Sequence, residues 1–278
     1  MPTGRAIDHV VLAVRDLDRA AATYERLGFT LTPRALHEDQ MGTSNRLAQF
    51  GGRNFIELLE VDRPGKLKAH DLTGKPPFFS FGDHNRQALA EREGLSMLVF
   101  ATDNARADLG RFAVAGLDTF APVDFERQAR LPDGSSVTVA FTIGFVRSPH
   151  MPRIAFFVCE NRAQQHFWKP DYQCHANGAR GIRAVTLASP DPARDAAFIS
   201  AMFGGMVTPT DGGLCVSCGP VQEVRVLAPD VVAGRDAGVA GLGAVTSILA
   251  GISVAAEKPR HLTPSRNACG MFIEWLAE

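Results

Sequence analysis

Two segments of this chain read as the first and last strands of one recurring unit, and that unit restricts the fold more tightly than any bulk property. The run Ile7-Asp8-His9-Val10-Val11-Leu12-Ala13-Val14 opens it and Phe55-Ile56-Glu57-Leu58-Leu59-Glu60-Val61 closes it. A histidine sits inside the first apolar strand and a glutamate inside the last. Burying either group unpaired costs several kcal/mol, so each needs a partner. A divalent ion or a substrate would suit both, because imidazole nitrogen and carboxylate oxygen are ordinary ligands for such ions.

Between the two strands, Asp16 is placed to cap a helix, and Leu17, Ala20, Ala21, Tyr24 and Leu27 fall at helical spacing before Gly28. A second strand is predicted from Phe29 to Thr32, and a third from Asn45 to Phe50, with Gly51-Gly52 as a tight turn. The order is βαβββ, over about 5–62. It returns. Leu95 to Ala101, a helix ending near Gly116, and strands at 120–130, 136–145 and 153–159 form a second copy, with Asp133-Gly134 as a hairpin signal. A third begins at Ile182, has Pro192 in a first helical turn, a helix end at Gly204-Gly205, and a last strand from Val221 to Leu227. Helix starts at Asp16, Asp103 and Asp191 mark the repeats. A reduced fourth copy covers 241–278, with apolar Leu242 to Leu249, no evident helix, and Met271-Phe272-Ile273-Glu274-Trp275-Leu276 as its ending. A loop over 63–93, rich in Pro, Gly and charge, carries a short helix at 84–92. Residues 161–181 connect the halves. The domains are thus 5–160, a connector at 161–181, and a reduced half at 182–278.

Apolar residues make up 45% of the 278, enough for a sizeable core, and 29 basic against 30 acidic residues leave no basic stripe for nucleic acid or an anionic membrane. No run of 18 apolar residues appears, so neither a signal peptide nor a membrane span is expected. Five cysteines, an odd number, fit reduced thiols in a cytoplasm better than a disulfide framework. Cys215-Val216-Ser217-Cys218 has no second pair at zinc spacing, and the Gly-rich stretch 232–243 lacks a phosphate-loop order.

A βαβββ unit with a buried His on strand one and a Glu on strand four resembles the vicinal oxygen chelate superfamily, and the copies extend the resemblance over most of the chain. Met41-Gly42-Thr43-Ser44-Asn45-Arg46 with Phe55-Ile56-Glu57-Leu58, and His175-Ala176-Asn177-Gly178-Ala179, resemble the glyoxalase-like branch, with Ala176 in place of a proline. The resemblance implies an α+β fold of paired βαβββ modules, each pair a cup-shaped mixed sheet with flanking helices. It implies a divalent ion (Zn, Fe, Mn, Ni or Co) in the cup, bound by first- and last-strand positions of two modules. There it would stabilise an enolate or oxyanion, in lyase, isomerase or dioxygenase chemistry. Carried over, the ligands are His9 and Glu57, with Ser96 and Ala184 at the first-strand positions of modules two and three. Neither of these is a strong ligand. Pairing module one with two is the default, but pairing one with four would bring Glu274 to His9 and Glu57. His150, His166 or His175 would otherwise have to complete the set.

Each candidate has a plainer alternative. His9 could be satisfied by a carbonyl or by Asp8, and Glu57 by Arg46 or Arg53. Thr43 and Asn45 share a face if extended and would be substrate anchors. Trp168 and Tyr172 would stack on a ligand or pack the connector. His175 and Asn177 would line the pocket or simply form a turn, since Asn-Gly favours positive φ. Two functions compete: a metal-assisted enzyme on a small oxygen-rich substrate, with Glu57 as ligand or general base, and a metal-free cup that sequesters a small molecule. A duplicated scaffold with a lost site is the third possibility. Either a monomer or a homodimer is compatible with four modules in one chain.

Overall fold

The structure is a computed structural model that describes residues 4–130, 136–258 and 260–278. Module one opens with β1 (Ile7–Ala13) and α1 (Leu17–Arg26), where the Asp16 side chain accepts a hydrogen bond from the Arg19 N–H at 2.9 Å. Such caps contribute about 1 kcal/mol. Gly28 ends the helix at φ +92°, and an added Cβ would lie 2.9 Å from the Cβ of Asn177, so backbone hand and close approach both call for glycine.

The strand expected at 29–32 does not form, and β2 is only Ala35–Leu36. Thr32 instead makes a local link to Leu47. Its N–H donates to the Leu47 carbonyl, and its Oγ1 accepts from the Leu47 N–H, both at 2.9 Å. Pro33 then removes the next donor. β3 (Ser44–Gln49) and β4 (Phe55–Glu60) complete the module. In the insertion, α2 (Phe81–Glu91) starts three residues before the sequence reading, because Ser80 Oγ caps it by accepting from the Asp83 N–H at 3.1 Å.

Module two contains β5 (Gly94–Ala101), α3 (Ala105–Val114), β6 (Asp118–Thr119), β7 (Val123–Arg130), β8 (Ser136–Arg147) and β9 (Ala155–Asn161). Its helix cap is Asn104, not Asp103, and the strand expected over 120–130 is split into β6 and β7. The Asp133-Gly134 turn lies outside the described residues. After α4 (Gln164–Phe167), module three runs through β10 (Ala179–Ala188), α5 (Pro192–Phe203), β11 (Val207–Thr210), β12 (Gly213–Cys218) and β13 (Gln222–Leu227). Then α6 (Pro229–Arg235) precedes a fourth module reduced to β14 (Ile248–Ala256) and β15 (Phe272–Ala277).

The strands form two mixed sheets. The first has the order β2-β3-β4-β1-β5-β9-β8-β6 with β7 on β8, and the second β11-β12-β13-β10-β14-β15. In the first, β1 pairs parallel with β4 and antiparallel with β5; in the second, β10 pairs parallel with β13 and antiparallel with β14. Module one therefore pairs with two, and three with four. The one-with-four alternative is overturned. Residues from α1, α3, α5 and one face of each sheet share a single apolar core. The other face of the first sheet carries a separate aromatic cluster, into which the insertion sends Phe79 and Phe81. No helix among the described residues is long and apolar enough to cross a membrane.

Candidate active site

The polar centre begins with a defect in β1. Ile7 and His9 pair with Phe100 and Val99 of β5, so two steps on β1 answer one step on β5 and Asp8 is a bulge residue. Bulges re-aim side chains. Here Asp8 and His9, adjacent in sequence, both line one cavity, with Asp8 Oδ2 2.5 Å from His9 Nδ1. The imidazole stacks on Phe55 at 4.3 Å and meets the edge of Phe157 at 5.6 Å. Its Nε2 is held 3.6 Å from Glu57 Oε2.

Glu57 projects from β4, with Val11 and Leu47 as its register partners. Its Oε1 accepts a hydrogen bond from Asn45 Nδ2 at 2.7 Å and lies 3.6 Å from His37 Nε2. The same Asn45 amide nitrogen is 3.1 Å from His37 Nε2, and His37 Nδ1 is 2.8 Å from Thr43 Oγ1. This fixes the roles. Turning the Asn45 amide over would set its oxygen against a carboxylate, so the NH2 must face Glu57 and His37, and His37 accepts at Nε2 and donates from Nδ1 to Thr43. The consequence falls on Asn45 Oδ1, which is buried with no partner in the protein. An unpaired buried acceptor costs about 1–3 kcal/mol.

The rest of the cavity wall is aromatic, with Phe55, Phe81, Phe125, Phe141, Phe157 and Phe167 around a space of about 60 Å³. Cys159 also lines it; burial, reinforced by Asp8 and Glu57, pushes its thiol well above the usual range and keeps it protonated. A wider groove of about 540 Å³ shares Asn45, Leu47 and Phe167 with the cavity and so lies beside it.

The structure thus gathers His9, Glu57, Asn45 and Thr43. Tyr172 lines the neighbouring groove rather than the cavity, and Trp168 packs on Phe55 and Phe167 beside the cavity. His175 is not in the cavity. Its Nε2 is 2.7 Å from the Gln49 carbonyl and its Nδ1 accepts from the Thr30 N–H, so it staples the connector to module one. Asn177 is a similar staple, donating to the Leu27 carbonyl at 3.1 Å and accepting from the Ala179 N–H. Glu274 stands on the second sheet, bound by Arg225 and Arg235 at 2.9 and 2.8 Å, and does not meet His9 or Glu57. The residue that sequence reasoning missed is His37. It follows a two-residue strand and carries no periodic signal; only its partner Thr43 was marked.

The implied metal does not fit these residues. Module one supplies His9 and Glu57. In module two Ser96 is the bulge residue, bonded to Asn85 Oδ1 at 2.7 Å, so Met97 takes the place corresponding to His9. Phe157, paired with Val99, takes the place of Glu57. Two histidines and a glutamate are the residue types of an open iron site, but His9 and His37 face opposite oxygens of one carboxylate rather than a common point. Among the described residues no group of three His, Cys, Asp or Glu side chains is placed to hold an ion. A two-ligand site binds metal poorly.

Paired βαβββ modules with a His and a Glu on the first and last strands define a protein of the vicinal oxygen chelate type. A family model described as a glyoxalase-like domain matches residues 7–203, and the chain belongs to that family. Among solved structures, a hypothetical protein from Staphylococcus aureus matches with a TM-score of 0.75 at 14% identity, over 98% of this chain and 99% of that one. A mutant 4-hydroxymandelate synthase from Streptomyces coelicolor matches at 0.53 and 12% identity, over 92% of this chain and 72% of that one. A xylose isomerase-like TIM barrel/4-hydroxyphenylpyruvate dioxygenase fusion protein matches at 0.53 and 16%, over 92% of this chain and 38% of that one. At these identities the likeness is one of fold. No curated protein matches the chain.

Proposed function

We propose that the chain is an acid–base enzyme of isomerase or lyase type, which moves a proton on a small oxygen-bearing molecule held in the first cup. The observation that carries this reading is Glu57, a carboxylate only 4% exposed, facing a phenylalanine-lined cavity between two imidazoles. The substrate proton passes to Glu57, and its bonding electrons stay on the substrate. Glu57 then hands the proton to His9 Nε2, whose lone pair faces it because Asp8 holds the Nδ1 proton. The carboxylate is restored, and the imidazolium, with Asp8 as its counter-charge, returns the proton to a second atom of the substrate or to its leaving group, so that His9 is restored as well. A positioned base of this kind contributes about 10²–10⁴-fold. The five free thiols support a reducing compartment such as the cytoplasm.

The narrow apolar lining also favours a second reading, capture of a small molecule without reaction. One experiment separates the two. A panel of hydroxyketones, hydroxyaldehydes and ketones is incubated with the protein in D2O, and loss of C–H signal is followed by proton NMR. The enzyme reading expects exchange that Glu57→Gln slows at least about 100-fold. Exchange that is unchanged in Glu57→Gln overturns the role of Glu57. Binding with no exchange anywhere in the panel leaves capture.

A further inference from the structure

We propose that Gln222, which belongs to the second half of the chain, is a positioning residue for the Asp8–His9 pair of the first. Its effect on turnover rests on the reading of Glu57 and His9 as the proton route. Its effect on His9 rests on hydrogen bonds alone.

β1 and β4 pair from His9 and Phe55 onwards, so Ile7 lies beyond the start of β4. On the other side β5 holds the preceding residue, with the Ala101 N–H donating to the Ala6 carbonyl at 2.9 Å. The buried N–H and carbonyl of Ile7 therefore need a partner that β4 does not give. The Gln222 side chain supplies it. Its Oε1 accepts from the Ile7 N–H at 2.8 Å, and its Nε2 donates to the Ile7 carbonyl at 3.4 Å and to the Ile182 carbonyl at 3.1 Å. An N–H must meet an oxygen, so the amide lies only one way round. A carboxamide carries the donor and acceptor of one peptide group, and here it stands in for one more residue of strand. Gln222 is itself buried and opens β13, whose next residue, Glu223, is in register with Ala184.

The grip falls where the site is made. Ile7 immediately precedes the bulge residue Asp8, and the oxygen of the peptide that joins them is the one bonded to Gln222. Holding that peptide plane holds the direction in which the bulge turns Asp8, and with it the 2.5 Å approach of Asp8 Oδ2 to His9 Nδ1. Asn54 returns the grip on the second half, accepting from the Ile182 N–H at 2.9 Å and donating to the Ile182 carbonyl at 3.3 Å. The bulge residue there is Arg183, paired with Glu278. Two reciprocal grips thus join the halves, and that of Gln222 acts directly on the bulge that carries Asp8 and His9.

Gln222→Met nearly keeps the length and removes all three bonds. In the wild type, labelled His9 should give a low-field Nδ1 proton, held against Asp8. In the variant that proton should move upfield and exchange faster with water. In the D2O assay kcat should fall about tenfold with KM changed less than about twofold, since small misplacements of a catalytic group cost rate rather than binding. Tyr24→Phe removes a different bond between the halves, from the Tyr24 hydroxyl to the Ala268 carbonyl at 3.3 Å, and should leave both readings as in the wild type. If Gln222→Met does not fold, Gln222→Asn, whose amide falls one methylene short, is read in the same way. His9 signals unchanged in a folded variant overturn the proposal, whatever the melting temperature does. So does an equal change in Tyr24→Phe, which would report loosened halves rather than a grip on Ile7. A shifted His9 with unchanged kcat overturns the part of Gln222 in turnover. A shifted His9 in a protein that catalyses no exchange even as wild type would sink the proton-transfer reading and leave the positioning of His9 standing.

Discussion

The two halves of the chain share a register and differ in what it carries. In the first, the bulge on β1 presents Asp8 and His9. In the second, Ile182 and Ala184 pair with Val254 and Ser253, so Arg183 is the bulge residue and Ala184 stands where His9 does. Two residues on, Val11 pairs with Glu57 in one half and Thr186 with Arg225 in the other. Across the module boundary, Phe157 in the first half answers Glu274 in the second. The second cup thus places an arginine and a glutamate where the first has a glutamate and a phenylalanine, and the two charges neutralise each other directly. Arg225 donates to Glu274 and Ser253 at 2.9 and 3.1 Å, and Arg235 of α6 takes the other Glu274 oxygen at 2.8 Å. One cup closes on itself as structure. The other keeps His9, Glu57 and Asn45 around a cavity lined by phenylalanines.

The comparison breaks most visibly at equivalent positions. Glu57→Gln should lower catalysed exchange by about 10²–10⁴-fold while leaving the melting temperature nearly unchanged. Arg225→Gln should do the reverse. It strips Glu274 of one of two cationic partners in a half-buried site, at about 2 kcal/mol, with exchange intact. Parallel kinetics and thermal melts on the two variants read both. If Arg225→Gln abolishes exchange, the second cup is not merely structural.

Much of this division is legible in the sequence. The βαβββ repeats, the Asp16 and Asp191 caps and the His9–Glu57 pair follow from periodicity and from the oddity of charge in apolar strands. What periodicity cannot give is register. A bulge at Ser96 moved the first-strand position of module two to Met97, and another at Asp8 turned that residue inward beside His9, because one extra residue reverses the face of a side chain. His37 was invisible for a related reason. It stands in a loop whose course is set by bonds to Thr43, Asn45 and Arg63, not by a periodic pattern. Glu274 looked like Glu57 because the surrounding strands match, and only the arginines of another strand and of a helix make it inert.

Acid should separate the halves next. His84, on α2, is buried against the Ser96 carbonyl, and desolvation lowers its pKa from 6.5 to about 4. The unfolded chain takes up a proton below about 6.5 that the folded chain refuses until about 4. Stability from this group is therefore complete above pH 6.5 and is lost as pH falls through that window, by roughly 3 kcal/mol in total. His70, also lowered by burial, adds in the same direction. The second half has one histidine, His261, and it is exposed. Urea unfolding at pH 7 and pH 4.5 should show the loss, and His84→Gln should remove most of it. A pH slope unchanged in the variant would place the acid sensitivity elsewhere.

Metal content sharpens the contrast between modules one and two. With only His9 and Glu57 in place, protein purified without added metal should carry well under one ion per chain. Met97→His combined with Phe157→Glu supplies the corresponding pair from module two, and should raise bound zinc about tenfold or more at equal exposure. Elemental analysis checks both. Near-stoichiometric metal in the wild type, lost in His9→Ala, would overturn the two-ligand reading of the site.

The smallest effect lies at the bulge. A carboxylate can only accept, so Asp8 keeps a hydrogen on His9 Nδ1, and the proposed relay runs through Nε2, 3.6 Å from Glu57. Asp8→Asn keeps the size but can present an NH2 to Nδ1, which moves the hydrogen to Nε2 and closes the route by which Glu57 sheds its proton. Nitrogen-15 shifts of labelled His9 should show the tautomer exchanged, with catalysed exchange slowed about tenfold, less than for Glu57 because His9 acts second. The equivalent change in the other half, Arg183→Gln, touches only an ion pair with Glu278 and should move stability by no more than about 0.5 kcal/mol and exchange not at all. If Asp8→Asn leaves the His9 tautomer as in the wild type, the bulge does no more in the first half than in the second. The distinction between the cups would then rest on Glu57 and Asn45 alone.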